Sequence, residues 1–272
     1  MKARGIRAVP VEVFLALLLV LPACSVKEER AGCPCYVHLI VDEFLRAGLS
    51  EAMVAFSSGG LGHSETLDLS PYEGSSYEKQ LPRSQARAAV AAGLENSRLE
   101  GEVLKVPYGL EADPLWLYFE DFECEGDDKY LLAAPSKQYC NLTIVVTGMD
   151  EESEYNCSLQ VYAGSSDVEL YTGHPAGGKY HATARRVGPL VYAVRIPRQQ
   201  GNELLLEISP PPTRNAAEPM VLDLGDEFRR AGYDWGRHNL MDASAVVDYA
   251  SADISFDIVD WDIDGSFGDV EI

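Results

Sequence analysis

The chain has 272 residues, 46% of them hydrophobic, which is enough for one large or two ordinary packed domains and excludes disorder along its whole length. Its formal net charge of −21 repels phosphate backbones and anionic headgroups. Nucleic acid is therefore excluded as an electrostatic partner.

Residues 1–23 read as a signal peptide, with a basic start at Lys2, Arg4 and Arg7 and an apolar run from Val13 to Leu21. Nine apolar residues fall far short of the roughly 20 that a membrane-spanning helix needs. Leu21-Pro22-Ala23-Cys24 resembles a lipobox, in which the Cys24 thiol takes a diacylglycerol and becomes the new N-terminus; Pro22 and Glu12 depart from the usual pattern. Acyl chains at about 0.8 kcal/mol per buried CH₂ would make that anchoring effectively permanent. Residues 24–33 then form a lipidated tether, where Lys27-Glu28-Glu29 resembles the surface-export signal of Bacteroidetes lipoproteins. The plainer alternatives are an ordinary secretory peptide and a solvated charged spacer.

Export would place the cysteines where disulfides persist. With Cys24 acylated, Cys33, Cys35, Cys124, Cys140 and Cys157 remain as disulfide candidates, an odd number. Cys140 and Cys157 sit on two apolar segments that would pair if those were neighbouring antiparallel strands. Cys124 would then take Cys33 or Cys35, since Cys33-Pro34-Cys35 is too tight for comfortable mutual pairing.

Beyond the tether, short segments with alternate-residue apolar patterning recur between Gly, Pro, Asp and Ser clusters. Val37, Leu39 and Val41 form the first, and Met53 to Phe56 runs into the turn signal Ser57-Ser58-Gly59-Gly60. Residues 84–94 are rich in Ala; propensity says helix with Ser84 as cap, yet the spacing also fits a small-residue strand. Leu115 to Phe119 is a doubly apolar core strand. Further strands are expected around Leu142–Val146, Leu159–Ala163, Leu190–Ile196, Leu204–Ile208 and Ile254–Ile258. A brief helix is expected over residues 223–231, with Leu224 and Phe228 four apart on one face. This pattern predicts an all-β fold of sandwich type with one or two short helices. A domain boundary is expected near residues 132–136, giving domains of 34–134 and 135–272.

Several stretches together resemble the FimB/Mfa2-type fimbrial anchor proteins of Bacteroidetes. They are the lipobox with Gly32-Cys33-Pro34-Cys35-Tyr36, then Val106-Pro107-Tyr108-Gly109, then Lys137-Gln138-Tyr139-Cys140-Asn141-Leu142-Thr143. Gly232-Tyr233-Asp234-Trp235 and Val247-Asp248-Tyr249-Ala250 complete the pattern in the tail. The resemblance implies two transthyretin-like Greek-key β-sandwiches in tandem, and makes residues 84–94 a strand. It also implies an outer-membrane anchor, held by its lipid, that docks a fimbrial stalk subunit by strand complementation. Residues 253–261 are the first place to look for the docking strand.

Asp260, Asp262, Asp264 and Glu271, with Gly265 at the sixth place, satisfy the calcium-loop expression. The strand-like residues before them, and Ile272 as the one residue after Glu271, favour an acidic turn instead. No other metal and no cofactor are expected. His38, His63, His174, His181 and His238 are scattered, and no nucleophile elbow, phosphate loop or small-molecule site stands out, so the chain reads as a non-enzyme. A surface glycan-binding lipoprotein is the competing class, with Tyr233, Trp235, Tyr249 and Trp261 as candidate stacking residues. An exposed row of coplanar aromatics would favour glycan, and an open sandwich edge would favour a pilin.

Overall fold

Residues Cys35–Ile40 alternate fully buried Cys35, Val37 and Leu39 with half-buried neighbours, and they form strand β1. The computed structural model describes residues 32–149, 157–210 and 218–259. In it β1 is the centre of a three-stranded sheet, antiparallel to β4 (Tyr77–Leu81) and parallel to β9 (Asp128–Leu132). Its buried face packs on a five-stranded sheet of order β10 (Ser136–Lys137), β8 (Trp116–Glu123), β5 (Gln85–Ala92), β2 (Glu51–Ser58) and β3 (Leu61–Asp68). Val37, Leu39, Val54, Phe56, Ala88 and Val90 fill the space between the two sheets, and helix α1 (Asp42–Arg46) closes one end with Phe44.

The Ala-rich segment is strand β5, and the reason is its place in the layers. Ala86, Ala88, Val90 and Ala92 face the first core, while Ala89 and Ala91 face a second one. A strand buried on both faces shows no apolar–polar alternation, and tertiary burial overrides the helical preference of alanine. The second core lies beneath a small sheet of order β14 (Pro175–Gly177), β13 (Asp167–Glu169), β7 (Val103–Lys105) and β6 (Arg98–Glu100). Leu104, Val168, Leu170 and Tyr171 meet Met53, Ala55 and Leu117 there. Two strands of this sheet come from early in the chain and two from late, so it ties the two halves together.

The second sandwich packs two sheets around Leu142, Ile144, Leu159, Val161, Val194 and Leu206. One sheet has the order β16 (Arg185–Gly188), β17 (Val191–Pro197), β11 (Tyr139–Thr147), β20 (Asp242–Asp248) and β21 (Asp253–Val259). The other has the order β15 (Tyr180–Thr183), β12 (Ser158–Ala163), β18 (Leu204–Ser209) and β19 (Met220–Asp223). The expected all-β architecture of two sandwiches in tandem is present, with the two short helices. The second, α2 (Leu224–Arg230), sits where the sequence puts it: the Asp223 carboxylate caps it by accepting from the Asp226 N–H at 3.1 Å. Among the described residues no helix is long and apolar enough to cross a membrane.

Candidate docking surface

In an all-β protein the groups that can recruit another chain are the backbone donors and acceptors along unpaired strand edges. On one side of the second sandwich the chain runs from β15 in one sheet through Ala184 into β16 in the other, so the corner is closed by covalent continuity. Strand β16 is also bulged against β17 and carries Arg185 and Arg186, features that blunt an edge. On the opposite side the end strands are β19 and β21. Helix α2 fills the gap between them: Phe228 is fully buried, with its ring 4.6 Å from that of Phe256 on β21.

Strand β21 thus turns Ile254, Phe256 and Ile258 toward a core already closed by α2, and exposes Asp253, Ser255, Asp257 and Val259. It pairs with β20 from Asp253 to Val259, and among the described residues its other edge carries no strand. Among the described residues, 253–259 of the expected docking segment are therefore an edge with no further strand beside it. Asp260 and Trp261 lie outside the described residues.

The first sandwich offers a second open edge, which sequence patterning did not single out. Among the described residues strand β9 pairs only with β1, and it displays Tyr130 and Leu132, 62% and 70% exposed. His38 stands between them and β4. Its ring stacks on Tyr130 at 4.6 Å, and Nε2 bonds the Asp128 carboxylate at 2.9 Å. Burial of β9 on one face only, through Leu131, makes the segment too short to show a period.

The aromatics proposed for glycan stacking sit elsewhere. Tyr233 and Trp235 are buried in the core of the second sandwich, packed on Phe228 and on each other, and Tyr249 is half-buried against the same core. Trp261 lies outside the described residues. A row of rings does cross the outer face of the β15–β12 pair, where Tyr108 lies on His181 and His181 on Tyr162, at 4.8 and 4.6 Å between centroids. His181 and Tyr162 are stacked and Tyr108 is tilted at 32° across His181, so the three rings partly cover one another and do not form the coplanar platform a sugar needs.

The cysteines require one correction. Cys140 and Cys157 do not face each other across a ladder: β11 is flanked by β17 and β20, whereas Cys157 precedes β12 of the opposite sheet. Cys140 lies in register with Ile196, and Cys157 shares a hydrogen bond with the Tyr192 hydroxyl at 2.8 Å. Those partners are four positions apart on β17, about 13 Å at the rise of a strand. The condition for their pairing, neighbouring antiparallel strands, is not met, because the chain crosses between sheets from β11 to β12. Both thiols are free, and burial pushes Cys140 up to about 12. Cys35 and Cys124 are brought together at the base of the first core. Burial, then a hydrogen bond with Cys35, pushes the Cys124 thiol up to about 12. Cys33 is exposed.

Cys24, Lys27, Glu28 and Glu29 lie outside the described residues, as do Asp260, Asp262, Asp264 and Glu271 of the acidic loop. Among the described residues no group of His, Cys, Asp and Glu is placed to hold a metal.

The same fold occurs in solved structures. The chain aligns with the fimbrial anchor protein Mfa2 from Porphyromonas gingivalis over 84% of its own length and 98% of that protein, at a TM-score of 0.57 and 13% identity. A candidate adhesin from Bacteroides ovatus aligns over 84% of this chain and 92% of that one, at a TM-score of 0.57 and 10% identity. Proteins from Bacteroides thetaiotaomicron described as candidate polysaccharide-binding proteins align over 86% and 100%, at a TM-score of 0.57 and 9% identity. No protein-family profile matches the chain, and no curated protein matches it in sequence. The resemblance read from the sequence motifs holds at the level of the fold, which this chain shares with Mfa2.

Proposed function

We propose that the chain is an outer-membrane lipoprotein acting as the anchor, or basal, subunit of a fimbria and docking a stalk subunit through an open strand edge. The observation that carries this reading is the fold shared with the fimbrial anchor Mfa2 over nearly the whole described chain. The lipobox at Cys24 and the charged Lys27-Glu28-Glu29 behind it agree with a lipid-held protein at the cell surface. The open edge of β21 supplies a template for backbone hydrogen bonding. Because Phe228 already fills the gap between β19 and β21, the partner strand adds to the edge and does not insert into the core. The role calls for no catalysis.

A division into domains at 134/135 belongs to the same reading. Its support is that the core of the first sandwich ends at Ala133, while that of the second sandwich begins at Cys140 and takes only Ala112 from earlier in the chain.

The test is capture of the tagged protein from detergent-solubilised outer membranes, with Cys24→Ala as control and mass spectrometry of what accompanies it. Recovery of a fimbrial subunit, together with release of the Cys24→Ala protein from the membrane, is the expected result. A wild type that stays membrane-bound and brings down only glycan-uptake components would replace this reading with the glycan-binding one.

A further inference from the structure

Where the two sandwiches meet, a cavity of about 330 Å³ opens between Phe119 of β8, the turn around His174, and the loops after β17 and α2. Its lining holds two arginines and two histidines, Arg198, Arg237, His174 and His238, and no aspartate or glutamate. In a chain with 43 acidic residues against 22 basic ones, a basic cavity without a carboxylate needs a reason.

Arg198 is the unusual member. Its residue is only 7% exposed, yet its guanidinium makes no ion pair among the described residues. Nε donates to the Gln138 side-chain oxygen at 2.7 Å, one terminal nitrogen donates to the Trp235 carbonyl, and the other donates to the His238 carbonyl at 3.2 Å. All three acceptors are neutral. The nearby Asp234 carboxylate accepts from the Gly236 N–H at 2.8 Å and forms no ion pair with Arg198. Burial lowers the guanidinium's affinity for its proton, against the opposing charge of the nearby Asp234 carboxylate. Of five N–H groups, three are used, which leaves one on each terminal nitrogen.

We infer that this cavity is a carboxylate-binding site, in which Arg198 supplies a two-pronged fork from the floor and Arg237 and His238 attract the anion at the rim. A planar guanidinium with one free donor on each terminal nitrogen matches a carboxylate in shape and charge. Carbonyls hold its plane fixed before the ligand arrives, so little entropy is lost on binding. The inference rests on the cavity alone and is independent of the fimbrial reading.

The experiment is an NMR titration of the purified full-length chain, at constant ionic strength, with N-acetylglutamate, N-acetylglutamine and inorganic phosphate. The Arg198 Nε–H and the Trp235 indole N–H are the reporters. Saturable shifts of both with N-acetylglutamate, and none with N-acetylglutamine, are expected. The exposed pair Arg237→Gln with His238→Gln should weaken binding about fivefold while leaving the rest of the spectrum in place. Arg198→Lys, if it folds, should lose more than about tenfold, because the fork is gone although the charge remains. No saturation, equal response to N-acetylglutamine, or an unchanged affinity in the rim variant would each overturn the proposal. Tighter binding of phosphate would overturn the carboxylate assignment in favour of a tetrahedral anion.

Discussion

Lys137 is a charged side chain only 1% exposed, at the point where the chain leaves the first sandwich for the second. Its ammonium reaches Asp242 at 2.5 Å and lies over the Tyr139 ring, and its backbone N–H donates to Asn239. Asp242 also accepts from the Asn141 N–H at 2.7 Å, so one carboxylate clamps β11 to β20. Removing one partner of a buried pair strands the other, so Lys137→Ala should cost about 3 kcal/mol in urea unfolding. Lys137→Met with Asp242→Asn together should cost at least 1 kcal/mol or so less than the sum of the singles. Glu65 makes a contrasting, exposed link. Hydrogen bonds from Tyr77 and then His63 hold its carboxyl at about 2, below its ordinary 4.5, with burial opposing them. A depressed folded-state pKa stabilises above 4.5 and is lost as pH falls toward 2. Glu65→Gln should therefore flatten the stability profile across that window, by about 1 kcal/mol after allowing for solvent screening. The neighbouring Cys35 and Cys124 thiols are expected to join when the protein is made in an oxidising compartment. Intact mass before and after reduction, in Cys124→Ser against wild type, reads that bond directly.

At the scale of elements, β5 and α2 show how position decides what a segment does. Ala89 lies on the face of β5 turned to the small bridging sheet, fully buried in one cluster with Leu104 and Leu117. Ala89→Leu keeps helix propensity high and raises hydrophobicity, yet it should destabilise by about 1–3 kcal/mol, because the strand is already covered on both faces. A helix on the surface would tolerate the same change, so denaturant midpoints separate the two assignments. In α2 the constraint is closer still. Gly225 sits against the Asn202 carbonyl, where a Cβ would come within 1.7 Å, so the first turn of the helix can approach the loop before β18 only without a side chain. That approach sets Phe228 between the two sheets, with its ring against Phe256 of β21.

The two sandwiches are held together by contacts that cross between the halves of the chain. The sheet β14-β13-β7-β6 takes strands from both halves, and the Glu111 carboxylate accepts from the Arg195 backbone N–H at 2.8 Å and from its guanidinium at 3.2 Å. Residues from Pro34 onward form a single compact unit. Heating should therefore produce one calorimetric transition, with calorimetric and van't Hoff enthalpies in agreement; two separated transitions would mean that the seam contributes little.

Much of this was legible from residue order alone. The alternation at Val37, Leu39 and Val41, at Leu142 to Val146 and at Leu204 to Ile208 announces half-buried strands, because side-chain direction in a strand has period two whatever the partner. The Asp223 cap and the spacing of Leu224 and Phe228 announce α2 for equally local reasons. The pairing of those strands was not legible. Cys140 and Cys157 are 17 residues apart and look like hairpin neighbours, but they belong to opposite sheets, since pairing depends on where the chain crosses between layers. The burial of Arg198 and Lys137, the meeting of Cys35 with Cys124, and the openness of the β9 and β21 edges depend in the same way on residues far away in the chain. Local patterning thus determined which segments are strands and which face of each is apolar. Only the tertiary structure decided which strand lies beside which, which edges stay free among the described residues, and which buried charges form ion pairs there, because long-range contacts set all three.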